Sequence, residues 1–372
     1  MLIKFNINYK LIALMLLISL IFSYFLFTFL SPSPSRKTSN YNMQTLFYTL
    51  AEVDDEVLKN IEDHINDIDI IAPQCFELDE KGEITGQIDE QLLKLAEKHN
   101  KKIMPLLTNP GFNQEIFHTF LQNGAAHQAA LEKMLEICQK NRCYGLQFDF
   151  ENINIEDKAV YMDFYRRAST LLHQHNFAIS IAIVPTVSDQ PNETTYDKWL
   201  YENWWGTYDY KVLAEYSDFV SLMTYDQHTP RTPAGPVAGF AWVEECIKHA
   251  LKYLKPEQVS VGMPTYSRHW APGVDKDVAN VVTKSLRYTA ATALLEKHAL
   301  TLLWDPIDKI HYARFRNGSI YEYLYVENAE SFKAKLALVD KYQLNGISAW
   351  RIGLEDQKIW ETLRQCKAAP QT

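Results

Sequence analysis

The sequence predicts a (β/α)8 barrel with a small α+β insertion, and three observations carry that expectation. Eight short runs rich in β-branched and aromatic residues alternate with longer runs at helical period. Some of them, Ala178-Ile179-Ser180-Ile181-Ala182-Ile183-Val184 above all, are apolar on both faces, as strands of a parallel sheet covered on both sides must be. The interval between the seventh and eighth runs is about eighty residues, far more than a βα unit needs. A doubly wound open sheet is the alternative, but neither a GxGxxG nor a P-loop supports it.

Taken in order, the chain opens on Lys4 and Lys10 and then Leu11 to Leu30, an uncharged apolar run. At 1.5 Å rise per residue it covers the roughly 30 Å hydrocarbon core of a bilayer. A cleaved signal peptide has a shorter apolar region and an A-x-A-like site, and no alanine follows Ala13 until Ala51. Residues 1–30 are therefore expected to form a transmembrane signal anchor with the rest of the chain outside the cytoplasm, periplasmic or at the cell surface. The product is secreted if the segment is cleaved. Residues 31–42, opening Ser31-Pro32-Ser33-Pro34-Ser35, read as a tether.

The barrel is expected over 43–368. Leu46–Leu50 is the first strand, followed by a helix opening at Asp54-Asp55-Glu56, acids suited to a positive helix N-terminus. Ile68–Ala72 is the second strand and Gln91–His99 a helix. Lys102–Leu107 is the third strand, and one helical stretch follows over 114–139. Tyr144-Gly145-Leu146-Gln147-Phe148-Asp149-Phe150-Glu151-Asn152 is the fourth, with Asn154 placed to cap the next helix. Ala178–Val184, Asp218–Tyr225, Gln258–Pro264 and Gly346–Ile352 complete the eight. Between the last two, Arg316-Asn317-Gly318 is a hairpin signal, and an insertion is expected over 275–327.

Composition narrows the function. A net charge of −9 and a pI near 5.7 argue against nucleic acid as a partner. Aromatics reach 13%, and such side chains pack cores but also stack on the apolar faces of sugars. Tyr196, Trp199, Tyr201, Trp204 and Trp205 crowd the loop after the fifth strand, at a spacing that suits a buried helical face better than a glycan platform. The cysteines form no ligand cluster and the histidines are scattered, so no metal and no cofactor are expected. A monomer is expected.

The fourth strand is the candidate site. With period two, Leu146, Phe148 and Phe150 share one face and Gln147, Asp149 and Glu151 the other, so two carboxylates project together at a strand's C-terminal end. Barrel enzymes keep their chemistry there, although a surface strand with a wetted polar face shows the same alternation.

These residues resemble the D-x-x-D-x-D-x-E signature of glycoside hydrolase family 18, the chitinases and their relatives. Asp149 and Glu151 match its last two acids, while Tyr144 and Gln147 stand where the first two aspartates would be. Leu222-Met223-Thr224-Tyr225-Asp226 looks like the family's sixth-strand motif, Gly262-Met263-Pro264-Thr265-Tyr266 its seventh and Ala349-Trp350-Arg351 its eighth. Gly235-Pro236-Val237-Ala238 and Trp350-Arg351-Ile352-Gly353-Leu354-Glu355-Asp356 are most similar to the bacterial cell-wall and spore-cortex N-acetylglucosaminidases.

The resemblance implies retaining hydrolysis of glycans containing β-linked N-acetylglucosamine, peptidoglycan or chitin-type, by substrate-assisted catalysis. Glu151 would be the general acid and base, Asp149 the group that orients the acetamido N–H, Tyr225 a donor to the acetamido oxygen, and Trp350 the floor under the sugar. Gln147, Met223, Asp226, Gln227 and Tyr266 would line the substrate site. Because Gln147 is neutral, Asp149 is expected to stay ionised and to raise the pKa of Glu151. The second reading is a non-catalytic, membrane-anchored glycan-binding protein on the same barrel.

Overall fold

The computed structural model describes residues 43–272 and 281–368. Among them, eight parallel positions close into a ring: β1 (Gln44–Leu50), β2 (Ile70–Leu78), the broken third strand β4 (Lys102–Ile103) and β5 (Leu106–Thr108), β6 (Gly145–Phe148), β7 (Ala178–Ile183), β8 (Phe219–Leu222), β9 (Val259–Pro264) and β15 (Gly346–Trp350). Closure is made by β1, which pairs with both β15 and β2. β3 (Ile84–Gly86) adds an antiparallel edge to β2. The third strand divides because Pro105 has no N–H to give the ladder.

Side-chain caps set where the helices begin. Asp54 accepts from Val57 N before helix Asp55–Asp63, and Asp89 from Gln91 N and Leu92 N before Glu90–Lys98. The single helix expected over 114–139 is two, Gln114–Leu121 and Gly124–Asn141, because Asn123 caps a fresh start by accepting from Ala126 N. Asn154 caps a 3-10 turn that leads into Lys158–Gln174.

The alternation on β6 is realised as two environments. Phe148 and Phe150 face the helices, with Phe150 stacked 4.4 Å from Phe117 and Phe148 edge-on to Tyr165 at 5.3 Å. Gln147 faces the barrel interior, fully buried among hydroxyls: its amide donates to Ser180 Oγ at 2.8 Å and Ser221 Oγ at 3.0 Å. Ser348 continues the network, 2.7 Å from both Ser221 and Ser260. Gly145 is required by strand spacing, since a Cβ there would lie 1.9 Å from the carbonyl oxygen of Ala178.

A second, antiparallel sheet runs β11-β10-β14-β13-β12, built from β10 (Ser267–Pro272), β11 (Val281–Leu286), β12 (Leu303–Asp305), β13 (Ile310–Asn317) and β14 (Ile320–Val326). It begins at Ser267, ahead of the boundary at 275 expected from the sequence. Ser267-Arg268-His269-Trp270 carries no alternation that would mark β10 as a strand. The end of β14 is tied to the helix Ala329–Tyr342 by a buried pair, Lys335 to Glu327 at 2.8 Å, and to β10 by Glu327 N donating to Ser267 Oγ.

No helix among the described residues is long and apolar enough to cross a membrane. The expected anchor over 1–30 and tether over 31–42 lie outside the described residues.

Candidate active site

The barrel's carboxyl mouth opens into a cleft of about 830 Å³, lined by the ends of β2, β6, β8, β9 and β15 and by the loops after β7 and β8. Its lining includes Asp149, Glu151, Met223, Tyr225, Asp226, Gln227, Tyr266 and Trp350. Gln147 does not reach it. Expected in the substrate site, it lies one layer deeper on β6, where the serines hold it, and its Oε1 has no partner.

Asp149 is buried, and one of its oxygens accepts from Gln74 Nε2 at 3.2 Å while Oδ1 has no partner. Burial pushes its carboxyl up to about 6, partly offset by the Gln74 hydrogen bond. It is therefore ionised at neutral pH and protonated below about pH 6. Glu151 is held well above the ordinary glutamate range by burial first, then by the charges of Asp149 and Asp226. Asn109 fixes the backbone there, donating to Glu151 O at 3.0 Å and accepting from Glu151 N at 3.1 Å.

The other walls are equally constrained. Tyr225 keeps its phenol protonated far above its ordinary value, by burial and then by the fields of Tyr48, Asp149, Tyr266 and Glu151. Its ring fits because residue 262 is glycine: a Cβ there would lie 3.0 Å from Tyr225 Cε1 and 2.3 Å from Leu222 O. Trp350 packs on Tyr48 at 5.4 Å, and Thr265 holds the chain beside it by donating to Trp350 O and Arg351 O. Asp226 takes a positive φ of 56°, accepts from the Tyr266 hydroxyl and pairs with Arg268 at 2.5 Å. Gln227 turns its Oε1 to Gly239 N at 2.7 Å.

Two site residues escaped the sequence reading. Gln74 stands at a kink of β2, where the register shifts against β5, so no alternation marks it. Arg268 is buried on β10, which has no sequence signal, and donates to His228 O as well as to Asp226. The aromatic loop after β7 also differs from expectation. Tyr196, Trp199 and Trp204 line the cleft together with the buried Trp205, and a π-helical turn at Tyr201–Trp205 breaks the helical period after Leu200.

A closed (β/α)8 barrel with a buried Asp149, a half-buried Glu151 and aromatic side chains at its carboxyl mouth has the parts of a glycoside hydrolase. The chain belongs to the glycosyl hydrolases family 18, whose model matches residues 20–355. Among similar proteins, an uncharacterized glycosylase, YvbX, of Bacillus subtilis (strain 168) is 23% identical over 337 residues, covering 88% of both chains. A cortical fragment-lytic enzyme of the same organism is 23% identical over 289 residues, 77% of this chain and 64% of that protein. The crystal structure of the Bacillus megaterium QM B1551 spore cortex-lytic enzyme SleL superposes with a TM-score of 0.77 at 20% identity, over 90% of this chain and 75% of the other. A chitinase from Chromobacterium violaceum ATCC 12472 does so at 0.77 and 19%, over 88% and 100%.

Proposed function

We propose that the protein cleaves β-linked N-acetylglucosamine glycans with retention of configuration, the substrate's own acetamido group acting as nucleophile. The observation that carries this reading is the convergence of Asp149 and Glu151, at the end of β6, with Tyr225 and Trp350 in one cleft, where burial pushes both carboxyls up. Asp149 serves as the anion and Glu151, whose protonated form is favoured by burial and by the charges of Asp149 and Asp226, as the acid. Glu151 gives its proton to the leaving glycosidic oxygen as the acetamido carbonyl oxygen bonds to the anomeric carbon. It then takes a proton from the water that opens the oxazolinium ring. Asp149 receives the acetamido N–H and offsets the positive charge that develops, and the Tyr225 hydroxyl donates to the acetamido oxygen. Trp350 supplies the stacking floor and Met223 and Tyr266 the flanks. Asp226 and Gln227, both engaged in hydrogen bonds of their own, shape the loop after β8.

The fragment-lytic and cortex-lytic names of the relatives support a peptidoglycan glycan strand as substrate over chitin. An anchor over residues 1–30 would keep the cleft against that polymer on the outer side of the membrane. Carbonate extraction and protease protection of the full chain test the anchor.

Product analysis by mass spectrometry on chitin oligomers and on peptidoglycan, with Glu151→Gln as control, tests the activity. Peptidoglycan fragments with N-acetylglucosamine at the reducing end are the expected result, because that sugar's anomeric carbon is the one attacked, and fragments ending on N-acetylmuramic acid would contradict it. Glycan binding without turnover, unchanged in Glu151→Gln, would establish the binding-protein reading instead.

A further inference from the structure

The cleft has a second wall, away from the carboxylates, with a different chemistry. Tyr196 and Trp199 stack at 6.0 Å on the loop after β7, and Trp204 lies 6.4 Å from Trp199. Arg231, on the loop after β8, places its guanidinium 5.0 Å from the centre of the Trp199 ring. The residues lining the cleft include four carboxylates, Asp149, Glu151, Asp197 and Asp226, and one cation, Arg231, counted among the described residues. Asp226 is committed to Arg268, and Asp197 accepts from Asn192 N. Among the described residues, no carboxylate pairs with Arg231 and no oxygen accepts from its side chain; its one hydrogen bond is from its backbone N–H to Thr229 Oγ1 at 3.3 Å.

Arg231 is exposed, so its guanidinium is hydrated and open to an incoming acid. Its loop is held at several points. Thr232 Oγ1 accepts from Thr229 N at 2.9 Å, His228 Nδ1 and Pro233 O lie 3.0 Å apart, and Arg268 donates to His228 O at 2.8 Å. The indole accounts for the guanidinium's cation–π contact and leaves its five N–H donors unclaimed. A fork of donors beside a stacking aromatic pair is the chemistry that reads a sugar bearing a carboxylate: the rings take the apolar face and the guanidinium takes the acid.

We propose that Trp199 and Arg231, with Tyr196, form a subsite for a carboxylate-bearing sugar of the glycan, so that the cleft selects an alternating acidic polymer over a neutral one. The assignment rests on reading the cleft as a glycan site. The carboxylate is either the sugar's own acidic ether or one on a peptide attached to it.

Binding measured by calorimetry on the full chain carrying Glu151→Gln, which holds substrate without turnover, tests the assignment. Four length-matched probes are compared: a chitin oligomer, a peptide-free N-acetylglucosamine–N-acetylmuramic acid oligomer, the same oligomer with its carboxyls reduced to alcohols, and a peptide-bearing one. The acidic oligomer is expected to bind about tenfold more tightly than its reduced form, a ratio that falls to near one on adding Arg231→Gln and is only partly kept with Arg231→Lys, which retains the charge without the fork. A preference confined to the peptide-bearing probe, and lost with Arg231→Gln, assigns the same subsite to the peptide's carboxylate. Equal binding of acidic and reduced oligomers, or a ratio unmoved by Arg231→Gln, overturns the assignment and leaves the glycan reading standing. Failure of every probe to bind overturns both.

Discussion

The two walls of the cleft are built by opposite means. Asp149 and Glu151 ride on the end of a strand locked in the ring, with helices packed behind Phe148 and Phe150 and a buried hydroxyl network in front of Gln147. Tyr196, Trp199 and Arg231 ride on two long loops that meet each other across the mouth. The first wall is rigid and desolvated, which is what proton transfer and charge stabilisation require. The second is more exposed and shaped for contact with a polymer. Chemistry belongs to one and selection to the other, and substitutions should separate them.

The largest effect is expected at Glu151. Glu151→Gln keeps the shape and removes the proton, and kcat on N-acetylglucosamine oligomers should fall by about 10²–10⁴-fold with affinity nearly unchanged. A variant that retains a tenth of the rate would remove Glu151 from its role.

Asp149→Asn should separate function from stability. The rate should fall about 10²-fold, since the amide offers no charge to the oxazolinium. Stability should move the other way. The folded pKa of Asp149, about 6, lies above its ordinary 3.8, so the contribution of this group is fully present below 3.8 and lost as pH rises through 6. A buried anion at neutral pH costs about 3 kcal/mol, by the linkage of two pKa units. Thermal melts of Asp149→Asn should therefore exceed the parent at pH 7.5 and converge with it near pH 4. Equal differences at both would place the carboxylate in water.

The same pair predicts the pH–rate profile. With an anionic Asp149 and a protonated Glu151 both required, kcat/KM should rise with pH through about 6 and fall again at higher pH as Glu151 ionises. An acidic limb near 4 would contradict the burial of Asp149.

The smallest effect belongs to the loop wall. Trp199→Ala should raise KM about two- to tenfold on long oligomers, with less change on the shortest ones that are cleaved. A fall in kcat without a change in KM would move Trp199 from selection to chemistry.

The two walls also differ in how far the sequence reveals them. Period two is imposed by the strand itself, so residue order alone sets Asp149 and Glu151 on one face and Phe148 and Phe150 on the other. Gln147 shares the face of the acids, yet depth along the strand decides whether a side chain meets substrate or the barrel's interior, and alternation carries no depth. Gln74 sits where β2 slips register, and Arg268 on a strand with no alternation. From Tyr196 to Trp205 the aromatic spacing describes a buried face only if the helix keeps its 3.6 period, and the π-turn changes that period. Electrostatics follows the same logic. The neutrality of Gln147 is visible in the sequence, but the charge of Asp149 is decided by burial, which only the closed barrel supplies.

The stereochemistry of the first product tests the central claim most directly. Proton NMR of oligomer hydrolysis, followed before mutarotation, should show the β-anomer at the new reducing end appearing first, as attack by the acetamido group and then by water requires. Initial release of the α-anomer would mean a single displacement by water and would contradict substrate-assisted catalysis.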